Sequence, residues 1–212
     1  MPKTRVEAFS DGVMAVAITL LALDLPIPDP ASTPHLAHTL AKQWPSFAAF
    51  AVSFMTIGVV WINHHAMLRR IGRVDYATLM LNLLLLLFIC LVPFSTALLA
   101  RYLTESHGAQ FAAAIYGASL LLMSCGFYAI QRHVLSTRTE LLRGGMSPEL
   151  RAQVLRRNRA GLFPYAIATA AAALSAYLSY GICLAVAVYY AIPRTTSDVM
   201  DDDLAEQHDP PG

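Results

Sequence analysis

The residues best suited to chemistry lie near the start of the chain. Arg5, Glu7 and Asp11 are ionisable groups at the head of an apolar run, with Ser10 among them. A charge costs about 2.5–3.5 kcal/mol at the centre of a bilayer and less near its surface. Arg5 is close enough to the surface to snorkel, whereas Asp11 lies deeper and needs a partner. Arg5 cannot be that partner, because six helical residues place the two side chains about 240° apart.

Polar groups at the same expected depth occur at the ends of two later apolar segments. Asn63, His64 and His65 end the second segment, and Asn82 lies two turns into the third. We expect these groups to meet the start of the first helix and to pair with Asp11. The predicted polar layer comprises Ser10, Asp11, Asn63, His64, His65 and Asn82.

Two other interpretations of these polar residues remain open. They also fit ordinary interfacial residues, with Trp61 in an aromatic belt. A zinc site from His64 and His65 fits poorly, because adjacent helical residues point about 100° apart and no third ligand accompanies them. We therefore predict no metal site and no cofactor.

One stripe of the first helix has a different character. Gly12, Val16, Thr19 and Leu23 are spaced by four, three and four residues, which places them on one helical face. Such a stripe is typical of helix packing, and the Thr19 hydroxyl can simply bond its own backbone. It also fits the apolar constriction of a pore.

The opening motif resembles that of a known family. Residues 5–12, RVEAFSDG, resemble the RxxxFSD signature of the transmembrane protein 175 family of potassium channels. The similarity continues through AITLL at 17–21, Trp61 with His64 and His65, and PFST at 93–96. It covers most of the first three apolar helices, and the remainder of the chain matches only in hydropathy. A single copy of the signature resembles the bacterial members.

The resemblance implies a homotetramer in which the first helix of each subunit lines a central pore that conducts K⁺. Val16 would take the family's narrow hydrophobic position, where Leu or Ile is more common, Thr19 its pore-facing hydroxyl, and Leu23 a further apolar ring. Asp24 would lie at the outer mouth. The residues implied to hold the pore helix against its neighbours are Arg5, Phe9, Ser10 and Asp11.

The elements that position these residues follow from composition. Apolar residues make up 56% of the 212 residues and charged residues 14%, against about 25% charged residues in soluble domains. Four stretches lack Asp, Glu, Lys and Arg: 43–63, 76–100, 108–131 and 160–193. The last is too long for one crossing, so we expect two helices joined at Ser179-Tyr180-Gly181. With the first helix, the prediction is an all-α integral membrane protein with six transmembrane helices per subunit.

Charge predicts the topology. With the N-terminus inside, all of the 15 Lys and Arg residues except Lys42 and Arg101 fall in inner segments, as the positive-inside rule requires. We expect both termini to be cytoplasmic in the plasma or inner membrane, lipids as partners, and no nucleic acid. Residues 1–194 form the predicted channel domain, and 195–212 a disordered acidic tail.

Several classes of protein compete with this prediction. A secondary transporter would place ionisable residues mid-membrane, and none of the predicted helices has one near its centre. A proton-permeable leak channel is a further alternative. An enzyme is a weaker alternative, because the sequence shows no nucleophile and base at a shared depth. The chain also lacks TVGYG, so modest K⁺ selectivity would arise from dehydration at an apolar ring and not from a carbonyl filter.

Overall fold

The computed structural model describes residues 3–30 and 35–192, and over these ranges the regular structure is helical, as predicted. Eight α-helices follow in chain order. They are α1 (Lys3–Leu23), α2 (Leu36–Lys42), α3 (Trp44–Arg70), α4 (Tyr76–Tyr102), α5 (Ala109–Arg132), α6 (Pro148–Ala160), α7 (Leu162–Ala171) and α8 (Ala176–Ala191). A π-helical turn (His133–Thr137) and a 3-10 turn (Thr139–Leu141) join α5 to α6. The predicted tail at 195–212 lies outside the described residues.

Four of the described helices are long and apolar enough to cross a membrane. They are α1, α3, α4, and α5 together with its π-helical turn. A crossing needs about 20 apolar residues, and α1 reaches that length only because its polar first turns belong to the same helix. The expectation that the segments 43–63, 76–100 and 108–131 each form one helix is confirmed.

The prediction of six crossings is wrong. The segment 160–193 contains α7, with 10 residues, and α8, with 16 residues, and neither has the length of a candidate span. The break between them lies at 172–175, and not at Ser179-Tyr180-Gly181, which is inside α8. Ser175 forms the break because its hydroxyl accepts a hydrogen bond from the Leu178 N–H and so caps the start of α8. Four spans still place the segments before α1 and after α5 on the same side.

Helix α5 lies at the centre of the packing, with α4 on one side and α7 and α8 on the other. Two glycines allow these close contacts. A Cβ on Gly126 would lie 3.2 Å from Leu85 Cα in α4, and a Cβ on Gly117 would lie 2.9 Å from Thr169 Oγ1 in α7. Small residues at such points let helix backbones approach each other.

A chain of buried hydroxyl groups joins α3, α4 and α5. The Thr96 hydroxyl donates to its own helix at Val92 O (2.7 Å) and lies 2.7 Å from the Ser53 hydroxyl, which is 3.0 Å from that of Tyr116. The single proton of the Thr96 hydroxyl is used in the bond to Val92 O, so Ser53 must donate to Thr96. The Ser53 oxygen then accepts from the Tyr116 hydroxyl. Pro93 stands inside α4 without ending it.

Helix α6 begins with residues typical of a helix start. Ser147 caps the helix by accepting a hydrogen bond from the Leu150 N–H, and Pro148 and Glu149 occupy the first turn. Leu150, Val154 and Leu155 are only partly covered. The helix then runs to Gly161, where α7 begins at once.

Candidate functional site

Helix α1 has one face packed against the protein and one face open. The packed face contacts α3 and α4 and consists of the buried residues Val6, Ser10, Met14, Ala17 and Leu21. The open face carries Gly12, Val16, Thr19 and Leu23. Val16 is 57% exposed and Leu23 is 78% exposed in the single chain. An apolar face this open in a membrane protein is available to lipid, to another subunit or to a pore.

The Thr19 hydroxyl donates a hydrogen bond to Val16 O, 2.8 Å away in the same helix. The bond holds the hydroxyl oxygen at the Val16 carbonyl on the exposed face of the helix. It also consumes the only proton of the hydroxyl, so the oxygen offers lone pairs outward. Thr19 therefore presents an acceptor, which is what a cation requires.

Three of the residues predicted to share a polar layer form a buried hydrogen-bonded chain across three helices. The Asn82 amide in α4 donates to Ser10 Oγ in α1 (2.9 Å), and its carbonyl oxygen lies 2.8 Å from His64 Nε2 in α3. A carbonyl oxygen only accepts, so His64 carries its proton on Nε2. His64 Nδ1 is buried and has no hydrogen-bond partner among the described residues.

Asp11 finds its partner on another helix, as expected, but the partner is Trp61. The indole N–H of Trp61 donates to Asp11 Oδ1 at 2.9 Å. Asn63 and His65 do not join the layer. The Asn63 amide donates to Val59 O of its own helix, and the exposed His65 ring lies against Trp61, with 6.3 Å between ring centroids. Sequence reasoning placed Trp61 only as an interfacial aromatic, although its position three residues before His64 was a usable signal.

The other residues implied to position α1 make fewer contacts within one chain. Arg5 is exposed and forms no ion pair or hydrogen bond within the described part of the chain. Phe9 is 54% exposed. Asp24 follows α1 and is exposed, and it borders a surface depression that Gln43 and Arg101 also line.

A second charged cluster lies where α4 begins. Asp75 caps α4 by accepting hydrogen bonds from the Thr78 N–H and hydroxyl, and it pairs with His133 at 3.1 Å and with Arg138 at 3.7 Å. Partial burial raises the pKa of Asp75, but the hydrogen bonds from Thr78 and His133 outweigh it and lower the pKa from 3.8 to about 2. No sequence pattern pairs Asp75 with His133, because the two lie at the ends of different helices.

No group of three or more His, Cys, Asp or Glu residues within 3–30 and 35–192 is arranged to hold a metal ion. The adjacent pair His64 and His65 diverges, with one side chain buried and the other exposed. The polar groups of α1, α3 and α4 therefore hold the helices together, and the open face of α1 is the candidate site.

These features define an all-helical integral membrane protein with an apolar helix face bearing one hydroxyl acceptor. The family model described as "Endosomal/lysosomal potassium channel TMEM175" matches residues 5–93. A Streptomyces collinus protein named a potassium channel is 42% identical over 88% of this chain and 90% of its own length. The chain belongs to the TMEM175 family, which confirms the resemblance of the opening motif.

Two further comparisons bear on the fold and on the kind of ion. The crystal structure of a lysosomal potassium-selective channel TMEM175 homolog from Chamaesiphon minutus is 36% identical, with a TM-score of 0.80 over 92% of this chain and 98% of that one. A Gallus gallus protein named the endosomal/lysosomal proton channel TMEM175 is 36% identical over 115 residues, which are 50% of this chain and 23% of that protein. The family is one of ion channels and not of enzymes.

Proposed function

We propose that this chain is the subunit of a potassium-permeable cation channel in which four copies place α1 around a central pore. The observation that carries the proposal is the open face of α1, where Val16, Thr19 and Leu23 are exposed while the opposite face is held by α3 and α4. The Streptomyces collinus and Chamaesiphon minutus relatives, both named potassium channels, support the ion.

In this proposal Val16 and Leu23 form apolar rings that a permeating ion crosses partly dehydrated. Sodium holds its water more tightly than potassium, so an apolar neck favours K⁺ modestly. Thr19 lies between the two rings and offers a hydroxyl oxygen whose proton is already bound to Val16 O. Asp24, exposed just beyond α1, would concentrate cations at the outer mouth.

The orientation is part of the proposal. The start of α1 and the segment from 138 to 159 face the cytoplasm, because the positively charged loops of membrane proteins stay inside. The protein would then lie in the cell membrane, with its basic segments close to anionic lipid headgroups. Both termini would be cytoplasmic.

The proposed pore is tested by recording currents from purified protein in planar bilayers with K⁺ and Na⁺ gradients. We expect currents that favour K⁺, and Val16→Asn should lower the K⁺/Na⁺ permeability ratio toward one, because water would replace the apolar ring. Thr19→Val should reduce conductance, because it removes the ring of acceptors.

The control for this experiment is Ile18, which packs against the core and does not share the open face. Cysteines at Val16, Thr19 or Leu23, in a background without native thiols, should be blocked by a small hydrophilic thiol reagent. A cysteine at Ile18 should not. If the reagent blocks only Ile18→Cys, another face of α1 lines the pore. If the K⁺/Na⁺ permeability ratio is unchanged in Val16→Asn, the Val16 ring does not produce the selectivity.

A proton-permeable channel is the second candidate, because the Gallus gallus relative is named a proton channel. A pH gradient applied in the same bilayers, without K⁺ or Na⁺, separates the two candidates. A current that reverses at the proton equilibrium potential would favour the second function, whereas silence under the pH gradient would favour the first.

A further inference from the structure

A cavity of about 90 Å³ lies inside the single chain, away from the open face of α1. Helices α3, α5, α7 and α8 form its walls and the end of α6 forms its rim. A water molecule needs about 10–15 Å³ measured this way, so the space exceeds a single bound water. It is large enough for part of a small organic molecule.

The cavity wall is mainly apolar, and its amides and one of its hydroxyls already have partners. Thr56 donates to Val52 O and Asn63 to Val59 O, so both are bound to their own helix. Asn158 at the rim donates to Gln131. Each of these bonds occupies one donor, and none of these groups carries a charge, so a charge that recognises an anion must come from elsewhere on the wall.

Arg157 supplies that selectivity. It is the charged residue of the lining, it is half-buried at the rim, and it has no acidic partner within residues 3–30 and 35–192. A guanidinium beside an apolar cavity, without a counter-ion among the described residues, pairs well with the two oxygens of a carboxylate or phosphate. Among the described residues, no Asp or Glu lines the cavity to compete.

The rim is built by a close contact that leaves little freedom. A Cβ on Gly161 would lie 2.7 Å from the Tyr190 hydroxyl, so the glycine leaves room for that hydroxyl at the junction of α6 and α7. Tyr190 and Arg157 both line the cavity there.

We propose that this cavity is a binding site for a small amphipathic anion, with the acidic group on Arg157 and the apolar part against α3 and α5. The inference goes beyond the proposed ion pathway and does not depend on it. A free alkyl carboxylate and the acidic group of a membrane lipid share this chemistry, and the test separates them.

The test measures thermal unfolding of the purified full chain in detergent with sodium octanoate, and with 1-octanol as the neutral probe of the same chain length. Octanoate should raise the unfolding midpoint of the wild type well above the effect of octanol. Arg157→Gln should weaken the apparent octanoate affinity about tenfold, the loss of one charge-assisted bond. Arg156→Gln, an exposed neighbour outside the lining, should bind like the wild type.

Ser124→Phe fills the cavity from α5 and should abolish the octanoate effect without touching the arginine. Equal octanoate affinity in the wild type and Arg157→Gln, or equal shifts by octanoate and octanol, would overturn the proposal. So would a gain of tenfold or more on deleting residues 195–212, because the acidic tail would then be the partner of Arg157.

The source of the anion is read by native mass spectrometry of the purified protein. Phosphatidylglycerol retained by the wild type and Arg156→Gln, but lost from Arg157→Gln and Ser124→Phe, would identify a lipid. Octanoate binding without any retained lipid would identify a free carboxylate. Phosphatidylglycerol retained equally by all four proteins would place the lipid elsewhere and leave the carboxylate as the ligand.

Discussion

Single hydrogen bonds decide how α1 is held. Asn82 bridges Ser10 and His64, and Trp61 holds Asp11. Three side chains on α3 and α4 thus fix the depth and rotation of α1 through two residues of that helix. In hydrocarbon an unpaired polar group has no water to bind, so each of these contacts also keeps its helix from turning. A rotation of α1 would break both contacts together.

Replacing Asn82 should destabilise the protein more than replacing Asn63. Asn82→Ala leaves Ser10 and His64 without their partner, at a cost of roughly 1–3 kcal/mol. Asn63 bonds only the backbone of its own helix, so Asn63→Ala should cost far less. Thermal unfolding in detergent compares the two variants. Equal midpoints would mean that the bonds between helices add nothing beyond packing.

The Asp75 cluster predicts a dependence on acid. The lowered pKa of Asp75 means that its contribution to stability is present above the unfolded value of 3.8 and is lost as pH falls toward 2. Wild type should therefore unfold at a higher temperature than Asp75→Asn at pH 7, and the difference should shrink between pH 4 and pH 2. A difference that persists unchanged at pH 2 would contradict the role of the ionised carboxylate with His133, Arg138 and Thr78.

The sequence predicted these side-chain contacts only in part. Depth along each apolar segment placed Ser10, His64 and Asn82 at one level, because a helix rises about 1.5 Å per residue. It did not say which side of α3 faces α1. Trp61 and His64 are on the near side, whereas Asn63 and His65 are not, and that rotation is set by packing between helices.

At the scale of elements, the residues that start a helix were a reliable signal, whereas the position of the break within 160–193 was not predicted correctly. Ser147, Pro148 and Glu149 are residue types typical of a helix start, and α6 begins there, since a cap depends on the first turn alone. The length of the segment 160–193 indicated two helices, but the break lies at 172–175. Ser175 caps the start of α8 with its hydroxyl. Ser179-Tyr180-Gly181 lies inside α8, where the apolar residues on both sides continue the helix.

Contacts at glycine predict a large difference between two similar substitutions. Gly117→Ala places a Cβ 2.9–3.2 Å from the side chain and backbone of Thr169, so it should cost about 1–3 kcal/mol by overpacking. Gly181→Ala, in the middle of α8 with nothing within 4 Å, should be neutral or stabilising by about 0.5–1 kcal/mol. Unfolding midpoints measured side by side test this, and equal effects would show that α5 and α7 can separate at no cost.

At the scale of the whole molecule, α1 is the least covered of the long helices, with only a narrow stripe packed inward. Composition and the positive-inside rule predicted a membrane protein and the order of its first four spans. They wrongly predicted that α7 and α8 are membrane crossings. Hydropathy measures apolar character, but it does not distinguish a helix that crosses the membrane from one that packs against a neighbour such as α5.

Four crossings with a cytoplasmic N-terminus predict which loops face outward. In a background without native thiols, Ser106→Cys between α4 and α5 should react with an impermeant thiol reagent added outside intact cells. Thr137→Cys, exposed at the end of the π-helical turn after α5, should react only after lysis. Labelling of Thr137→Cys from outside would reverse the proposed orientation.

The contact between Trp61 and Asp11 also gives the protein an intrinsic fluorescent probe of the position of α1. The chain has 2 tryptophans, and both lie on α3, Trp44 in its first turn and Trp61 near its other end. At 1.5 Å per residue they are about 25 Å apart along the helix axis. In Trp44→Phe all indole fluorescence arises from the ring whose N–H is bound to the carboxylate of α1. The emission colour of that variant therefore reports, without any attached dye, whether the first helix is engaged with the third.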